Sequence, residues 1–321
     1  MGSSNWTEIQ SGLWGQPELS KKLRMISRKQ TKMYEAVDKA TEFNLGKKSG
    51  DKVAVRLVGR IATLADTALN EYQKLPFGAA PEYTKQITVY RRGFATSWTG
   101  SRADLDRADV DNKSIEALRD QAARTLNKVC YDAAVAGRSF CYNALTASTY
   151  GFQGTGSPVG LAVSNYNLYH YRKMKLQAKK YNIPPADGQN WFFVGSPQVE
   201  DGLFSDTGTN SFVDVSKYDP SRTAGLLAGE IGKLGSVRFV IDNDVIPDNI
   251  GTGSVYCSGF LFGQEALKEV MVYPMHLRYN GNLGGEFGNQ QAIAWQAMFG
   301  IDTIWNYGSH GQANYIHMTS T

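Results

Sequence analysis

From Gly281 to Thr321 the chain has no lysine and no arginine, and only Glu286 and Asp302 carry charge there. A stretch so poor in charge and so rich in aromatics is expected to be buried on most sides. Nowhere do 18 apolar residues run together, so no segment reads as a membrane-spanning helix. The opening MGSSNWTEIQSGLWGQPE also lacks the basic-then-apolar order of a signal peptide, and a soluble protein made in a cytoplasm is expected, with no membrane partner. There are three cysteines, Cys130, Cys141 and Cys257, at no metal-ligand spacing, which predicts reduced thiols. The four histidines (His170, His276, His310, His317) are scattered without an HExxH or CxxC pattern, which argues against a zinc site. No GxSxG elbow occurs, and GFQGTGSPVG (151–160) lacks the Lys-Ser/Thr ending of a phosphate loop, so it reads as a surface loop. The pattern predicts no catalytic residue, no cofactor and no metal.

What is present is charge in one place and apolar periodicity in several. Residues 1–48 hold nine Lys/Arg and five Asp/Glu, a surplus of +4, which equals the +4 of the whole 321-residue chain, so the remainder balances to zero. Within 17–42, Leu19, Leu23, Ile26, Met33, Val37 and Ala40 follow helical spacing, while Lys21, Lys22, Arg24, Arg28, Lys29 and Lys32 crowd the remaining surface. The reading is an amphipathic basic helix, either a solvated face or a contact for a polyanion. A second basic cluster, Arg172, Lys173, Lys175, Lys179 and Lys180, could neutralise phosphates without reading bases.

KVAVRLVGR (52–60) is strand-like, and QITVYRRGFATSW (86–98) reads as one long strand, with Pro76, Gly78 and Pro81 marking a turn-rich tip between them. The second strand is ambiguous. Ile87, Val89 and Ala95 point one way, Tyr90, Phe94 and Trp98 the other, with Arg91 and Arg92 between them, so neither face is clearly polar. At ~3.3 Å per residue it would extend ~43 Å, against a radius of gyration of ~20 Å for a compact globule of this size. Such an arm needs a partner surface, since an isolated hairpin is marginal in water.

Further on, Asp104, Asp106, Asp109 and Asp111 precede a helix over 114–136, in which Ile115, Leu118, Ala122, Leu126, Val129 and Ala133 repeat at steps of three and four and Gly137 supplies a stop. SNYNLYHYRKMKLQAKKYNIPP predicts a helix from Ser164 to about Tyr181, NWFFVG a strand, PQVEDGLF a short helix, GSVRFVID a strand, GQEALKEV a helical turn or two, and 292–306 a strand pair or one bent strand. Asp242, Asp244 and Asp248 in IDNDVIPDN read as turn chemistry ending a strand. This alternation places the chain in the α+β or α/β class.

The order of parts, together with LLAGEIGKLGSVRFVID (226–242), FLFGQEALKEV (260–270) and AWQAMFGIDTIWN (294–306), resembles the major capsid proteins of tailed bacteriophages with the HK97-type shell fold. The resemblance implies an α+β chain with an N-terminal arm (1–50), an extended E-loop hairpin (51–98), a peripheral domain with a long spine helix (99–140), an axial domain (141–280), and C-terminal strands (281–321) returning to the peripheral domain. It implies that the E-loop lies across a neighbouring copy, with Lys74, Lys85, Tyr90, Arg91, Arg92 and Phe94 in that contact, and that Lys21, Lys22, Arg24, Arg28, Lys29 and Lys32 face packaged double-stranded DNA. Implied partners are other copies in hexameric and pentameric capsomers, a separate scaffolding protein during assembly and a portal protein; whether a decoration protein covers the outer surface is left open by the sequence. The implied location is the virion capsid, reached from the host cytoplasm. Some relatives cross-link subunits through Lys and Asn beside an acid, but the spacing around Lys74 and Lys85 supports no such bond. The alternatives from the residues alone are a non-specific nucleic-acid-binding protein using the basic N-terminal helix and an enzyme with a dispersed site.

Overall fold

The computed structural model describes residues 32–39, 52–59, 61, 74, 77–99, 110–137, 139–154, 164–205, 230–244, 246, 257–281, 290–307 and 311–320. These residues divide into two compact units: 93–99, 110–122, 276–281 and 290–296 form the smaller, and the rest form the larger.

The larger unit is built on a seven-stranded mixed sheet. Its strands are β5 (Phe140–Thr146), β6 (Thr149–Gln153), β7 (Trp191–Gly195), β8 (Glu230–Leu234), β9 (Val237–Ile241), β10 (Cys257–Phe262) and β13 (Tyr315–Ser320), in the order β6-β5-β13-β10-β7-β9-β8. The last strand lies at the heart of this sheet, parallel to β5 (Ile316 opposite Phe140) and antiparallel to β10 (Phe260 opposite His317). The charge-poor C-terminus therefore enters a strand buried on both faces, where a lysine would lose its hydration.

Alternation along the strands builds two cores. Ile316, Met318, Leu261, Phe193, Phe239 and Tyr142 point to one face, against helix α2 (Leu168–Lys180) and helix α3 (Pro197–Ser205). Phe260, Phe262 and Tyr315 point to the other, where helix α1 (Val110–Ala136) crosses. There Tyr131 meets Phe260 edge-on at 5.9 Å, and the Tyr315 hydroxyl donates to the Ala134 carbonyl at 2.8 Å. Gly137 ends α1 under Tyr315, where a Cβ would collide with the hydroxyl oxygen. Helix α2 starts where the Asn167 side chain accepts from the His170 amide at 3.1 Å and stops at Asn182, whose φ of 53° is a conformation asparagine tolerates.

A second sheet, ordered β1-β11-β12-β4, comprises β1 (Val37–Asp38), β11 (Leu267–Asn280), β12 (Gln290–Thr303) and β4 (Tyr90–Thr99). Within the smaller unit the Trp295 indole donates to Gln121 Oε1 at 2.6 Å, and Gly93 lets its backbone pass the Trp295 carbonyl, which a Cβ would approach to 2.6 Å. A separate two-stranded ladder pairs β2 (Lys52–Val58) with β3 (Glu82–Thr88), Val55 opposite Lys85.

Four expectations change. The run 86–98 is two strands in two sheets, parted at Val89. In β3 the odd positions are inside (Ile87, then Val89), and in β4 the even ones are (Trp98, with Arg92 and Thr96 half-buried), so the ambiguous alternation records a change of sheet. Of the basic helix expected over 17–42, the described part, 32–39, is one 3-10 turn (Met33–Ala36) followed by β1, because its backbone is held by partners outside the segment. GQEALKEV turns through Glu265, at φ 52°, and enters β11, its apolar residues buried by sheet neighbours. The segment 281–321 supplies β12 to the four-stranded sheet and β13 to the seven-stranded one, since the two strands have different neighbours.

Candidate functional site

The hairpin β2–β3 is seated by one face only. Val53, Val55 and Leu57 alternate inward with Ile87 and Val89 to meet Val270 and Ile304, while Lys52, Ala54, Arg56 and Val58 face solvent. The seat has two polar or steric pins. Lys85 Nζ lies 2.9 Å from Asp302 Oδ2, and Gly300 brings β12 so close that a Cβ would collide with the Thr88 carbonyl oxygen. At the loop end Gly59 donates to Pro81 O at 2.7 Å, and a cleft of ≈ 660 Å³ opens between Val58, Pro81, Tyr83 and Trp305 on one side and Gln264 and Gln312 on the other. The titratable side chains among its described lining residues are Glu265 and Tyr83, with no histidine, cysteine, serine or lysine beside them.

The expected contact residues fall into two groups. Lys74, Tyr90, Arg91 and Phe94 are exposed, and Phe77 beyond the cleft is 98% exposed. Lys85 is engaged by Asp302, and the Arg92 guanidinium lies over the Tyr90 and Phe299 rings at 5.7 and 5.4 Å, so both are held by their own chain. Of the N-terminal cations, Lys21, Lys22, Arg24, Arg28 and Lys29 lie outside the described residues. Lys32 is described, and its Nζ pairs with Glu35 at 3.0 Å.

What the sequence reading missed is the anchor of that N-terminal segment. Asp242, fully buried at the end of β9, accepts the Lys32 amide at 2.8 Å, the Met33 amide at 3.4 Å and the Asn127 side-chain amide at 2.5 Å on Oδ2, and the Asp244 amide at 2.9 Å on Oδ1. Beside it the Tyr34 hydroxyl donates to Glu269 Oε2 at 2.9 Å, and Lys268 Nζ reaches Asp38 at 3.3 Å. Burial pushes the Glu269 carboxyl above the usual carboxylate range, opposed by the Tyr34 hydrogen bond. The only signal in sequence was an acid directly after an apolar strand, which a turn explains equally well.

Burial also fixes the other titratable groups. It lowers His317 and His170 to about 4; His317 pairs with Ser258 Oγ at 2.9 Å and His170 with the Tyr142 hydroxyl at 3.0 Å. It raises the Cys130 thiol and pushes Cys141 up to about 11, so neither is a reactive thiolate near neutral pH. Among the described residues, no group of three His, Cys, Asp or Glu is placed to hold a metal, and no helix is long and apolar enough to cross a membrane.

No family model matches the sequence, and no curated protein is similar to it. Solved structures are similar over nearly the whole chain. The "Cyanophage Pam1 capsid asymmetric unit" superposes with a TM-score of 0.70 at 13% identity, covering 97% of each chain. The chain has an HK97-type capsid fold. The "Capsid of Ralstonia phage GP4" shares it at a TM-score of 0.67 and 13% identity, over 97% of this chain and 96% of that one. "The head structure of Helicobacter pylori bacteriophage KHP40" does so at 0.66 and 11% identity, over 100% and 99%. Agreement at this length with so few shared residues means that the capsid fold rests on apolar pattern and topology more than on side-chain identity.

Proposed function

We propose that this chain is the major subunit of a tailed-bacteriophage shell, a structural protein whose copies associate into hexameric and pentameric capsomers and close an icosahedral capsid around double-stranded DNA. The observation that carries this reading is the match of essentially the entire chain to phage capsid structures, over 96–100% of both chains. The exposed side chains agree with it: Phe77, Tyr90 and Phe94 stay in solvent on the hairpin and the strand after it, while most other large aromatics among the described residues are packed. In this reading residues 51–98 are the E-loop and 99–140 hold the spine helix. The axial domain is 141–280, and a neighbouring copy covers the outward face of the hairpin. Obligate contacts of ~2,000–5,000 Å² hold permanent assemblies of this kind, and closure follows from repeating one heterologous contact by symmetry. A separate scaffolding protein guides assembly in the host cytoplasm, and a portal protein completes the particle.

Negative-stain imaging of the purified protein, alone and co-expressed with its scaffold, tests the reading. Closed shells or capsomer rings are expected. A monodisperse monomer under both conditions would end it.

A further inference from the structure

Helix α2 carries Arg172, Lys173, Lys175, Lys179 and Lys180 in a 13-residue span with no acid anywhere in it. Its other face is spent on the core: Leu168, Tyr171, Met174 and Ala178 are buried, so the cations are confined to the outward side, around a half-exposed Leu176. None of the five is ion-paired to a carboxylate among the described residues. Elsewhere the chain sets an acid three or four residues from a lysine, as in Lys113–Glu116 at 3.0 Å and Lys128–Asp132 at 3.2 Å. The helix dipole accounts for Lys179 and Lys180 in the last turn, but not for Arg172 and Lys173 in the first half, where it is unfavourable. The cations are also held apart: Lys173 Nζ lies 5.3 Å from the Tyr169 ring centroid and Lys175 Nζ 5.9 Å from that of Tyr171. Burial and the neighbouring Lys179 charge lower the Lys175 pKa, which fits a face with no counter-charge of its own.

We propose that the outward face of α2 is a sequence-independent binding surface for the phosphate backbone of duplex DNA. A row of five cations without an acid in the helix complements a repeating line of phosphates, and its four lysines meet that line as point charges on flexible stems without imposing a bidentate geometry. The exposed side of α2 carries no asparagine, glutamine or acid to read adenine or cytosine edges, so the contact is with phosphates and is electrostatic. The assignment rests on the shell reading for the source of the DNA and deepens it: this face of the axial domain turns toward the packaged genome.

The test uses the full-length protein and a 30-base-pair duplex, with affinity measured by fluorescence anisotropy from 50 to 200 mM NaCl. A variant with Arg172, Lys173, Lys179 and Lys180 all changed to Gln should reduce the slope of log K against log salt by about 3–4, at ~0.9 for each phosphate no longer neutralised. Over this fourfold salt range that is roughly a hundredfold smaller loss of affinity than in the wild type. The three lysines changed to Arg instead should keep the wild-type slope. A slope change below 1 in the Gln variant would overturn the proposal, as would tighter binding of a polyglutamate of equal charge, which would assign the face to an acidic protein. Shell formation is scored separately by negative stain. Shells formed by the Gln variant at wild-type yield, together with the reduced slope, support the proposal. Failure of the variant to form shells, with unchanged DNA binding, would make the face a subunit interface and refute it, whereas a wild type that forms no shells counts against the shell reading alone.

Discussion

Replacing Asp242 by Asn isolates one anchor on which the N-terminal segment depends. The carboxylate takes the Lys32 amide and the Asn127 side chain on one oxygen and the Asp244 amide on the other, all within 2.5–2.9 Å, inside a site closed to water. An asparagine of the same shape keeps one acceptor and turns an NH₂ toward donors. At least one buried N–H then loses its partner, and every remaining bond loses its charge assistance. Hydrogen bonds to a charged group contribute about 1.5–3 kcal/mol each, and a buried donor left unpaired costs about 1–3 kcal/mol. These terms overlap, so about 3 kcal/mol is expected for Asp242→Asn and about 4–5 kcal/mol for Asp242→Ala. Against a stability of order 5–15 kcal/mol this is a large fraction. Urea unfolding of the unassembled subunit measures the total, and amide hydrogen exchange at Lys32 and Met33 locates it. The reasoning is refuted if Asp242→Asn unfolds within about 0.5 kcal/mol of the wild type and both amides keep their protection. That result would mean that sheet packing, not the carboxylate, holds the segment.

Other expectations are narrower. His317 and His170 are buried neutral with pKa values lowered to about 4 from 6.5, so below pH 6.5 the unfolded chain binds protons that the native state refuses. Stability falls from pH 6.5 toward pH 4, by about 2 kcal/mol per histidine at pH 5. The raised Glu269 carboxyl opposes this slightly, and His317→Gln should flatten the fall in unfolding midpoints between pH 7 and 5 by about half. Gly300→Ala forces a methyl against the Thr88 carbonyl and should cost ~2–3 kcal/mol with a lowered melting temperature; an unchanged melt would mean that the hairpin seat yields freely. Removing the half-exposed Lys85–Asp302 pair by Asp302→Asn should cost under ~1 kcal/mol. Phe77→Ser with Phe94→Ser should leave the subunit's unfolding within ~0.5 kcal/mol of wild type while abolishing closed shells in negative stain, and normal shells would remove these residues from the subunit interface.

The sequence alone determined those elements whose cause is local. The 3.6-residue spacing of Leu118, Ala122, Val129 and their neighbours produced a helix that runs Val110–Ala136, and the β-branched run at 52–58 produced β2. The Pro184–Pro185 stop left α2 ending at Lys180, and the lack of charge after Gly281 placed β13 in a buried strand. In each case a side chain's preference for water or for a backbone conformation acts within one or two turns, so neighbours in sequence suffice. Tertiary structure decided whatever depends on a distant partner. Val89 changes sheets because β12, far along the chain, approaches at Gly300. Met33–Ala36 tightens into a single turn because Asp242 and Asn127 hold its amides. Arg92 and Lys85 are occupied at home because Phe299 and Asp302 lie beneath them, and the uncharged tail is divided between two sheets because its two strands find different neighbours. Long-range pairing energy is set by which surfaces meet, and periodicity says that a face is apolar without naming the face that will cover it.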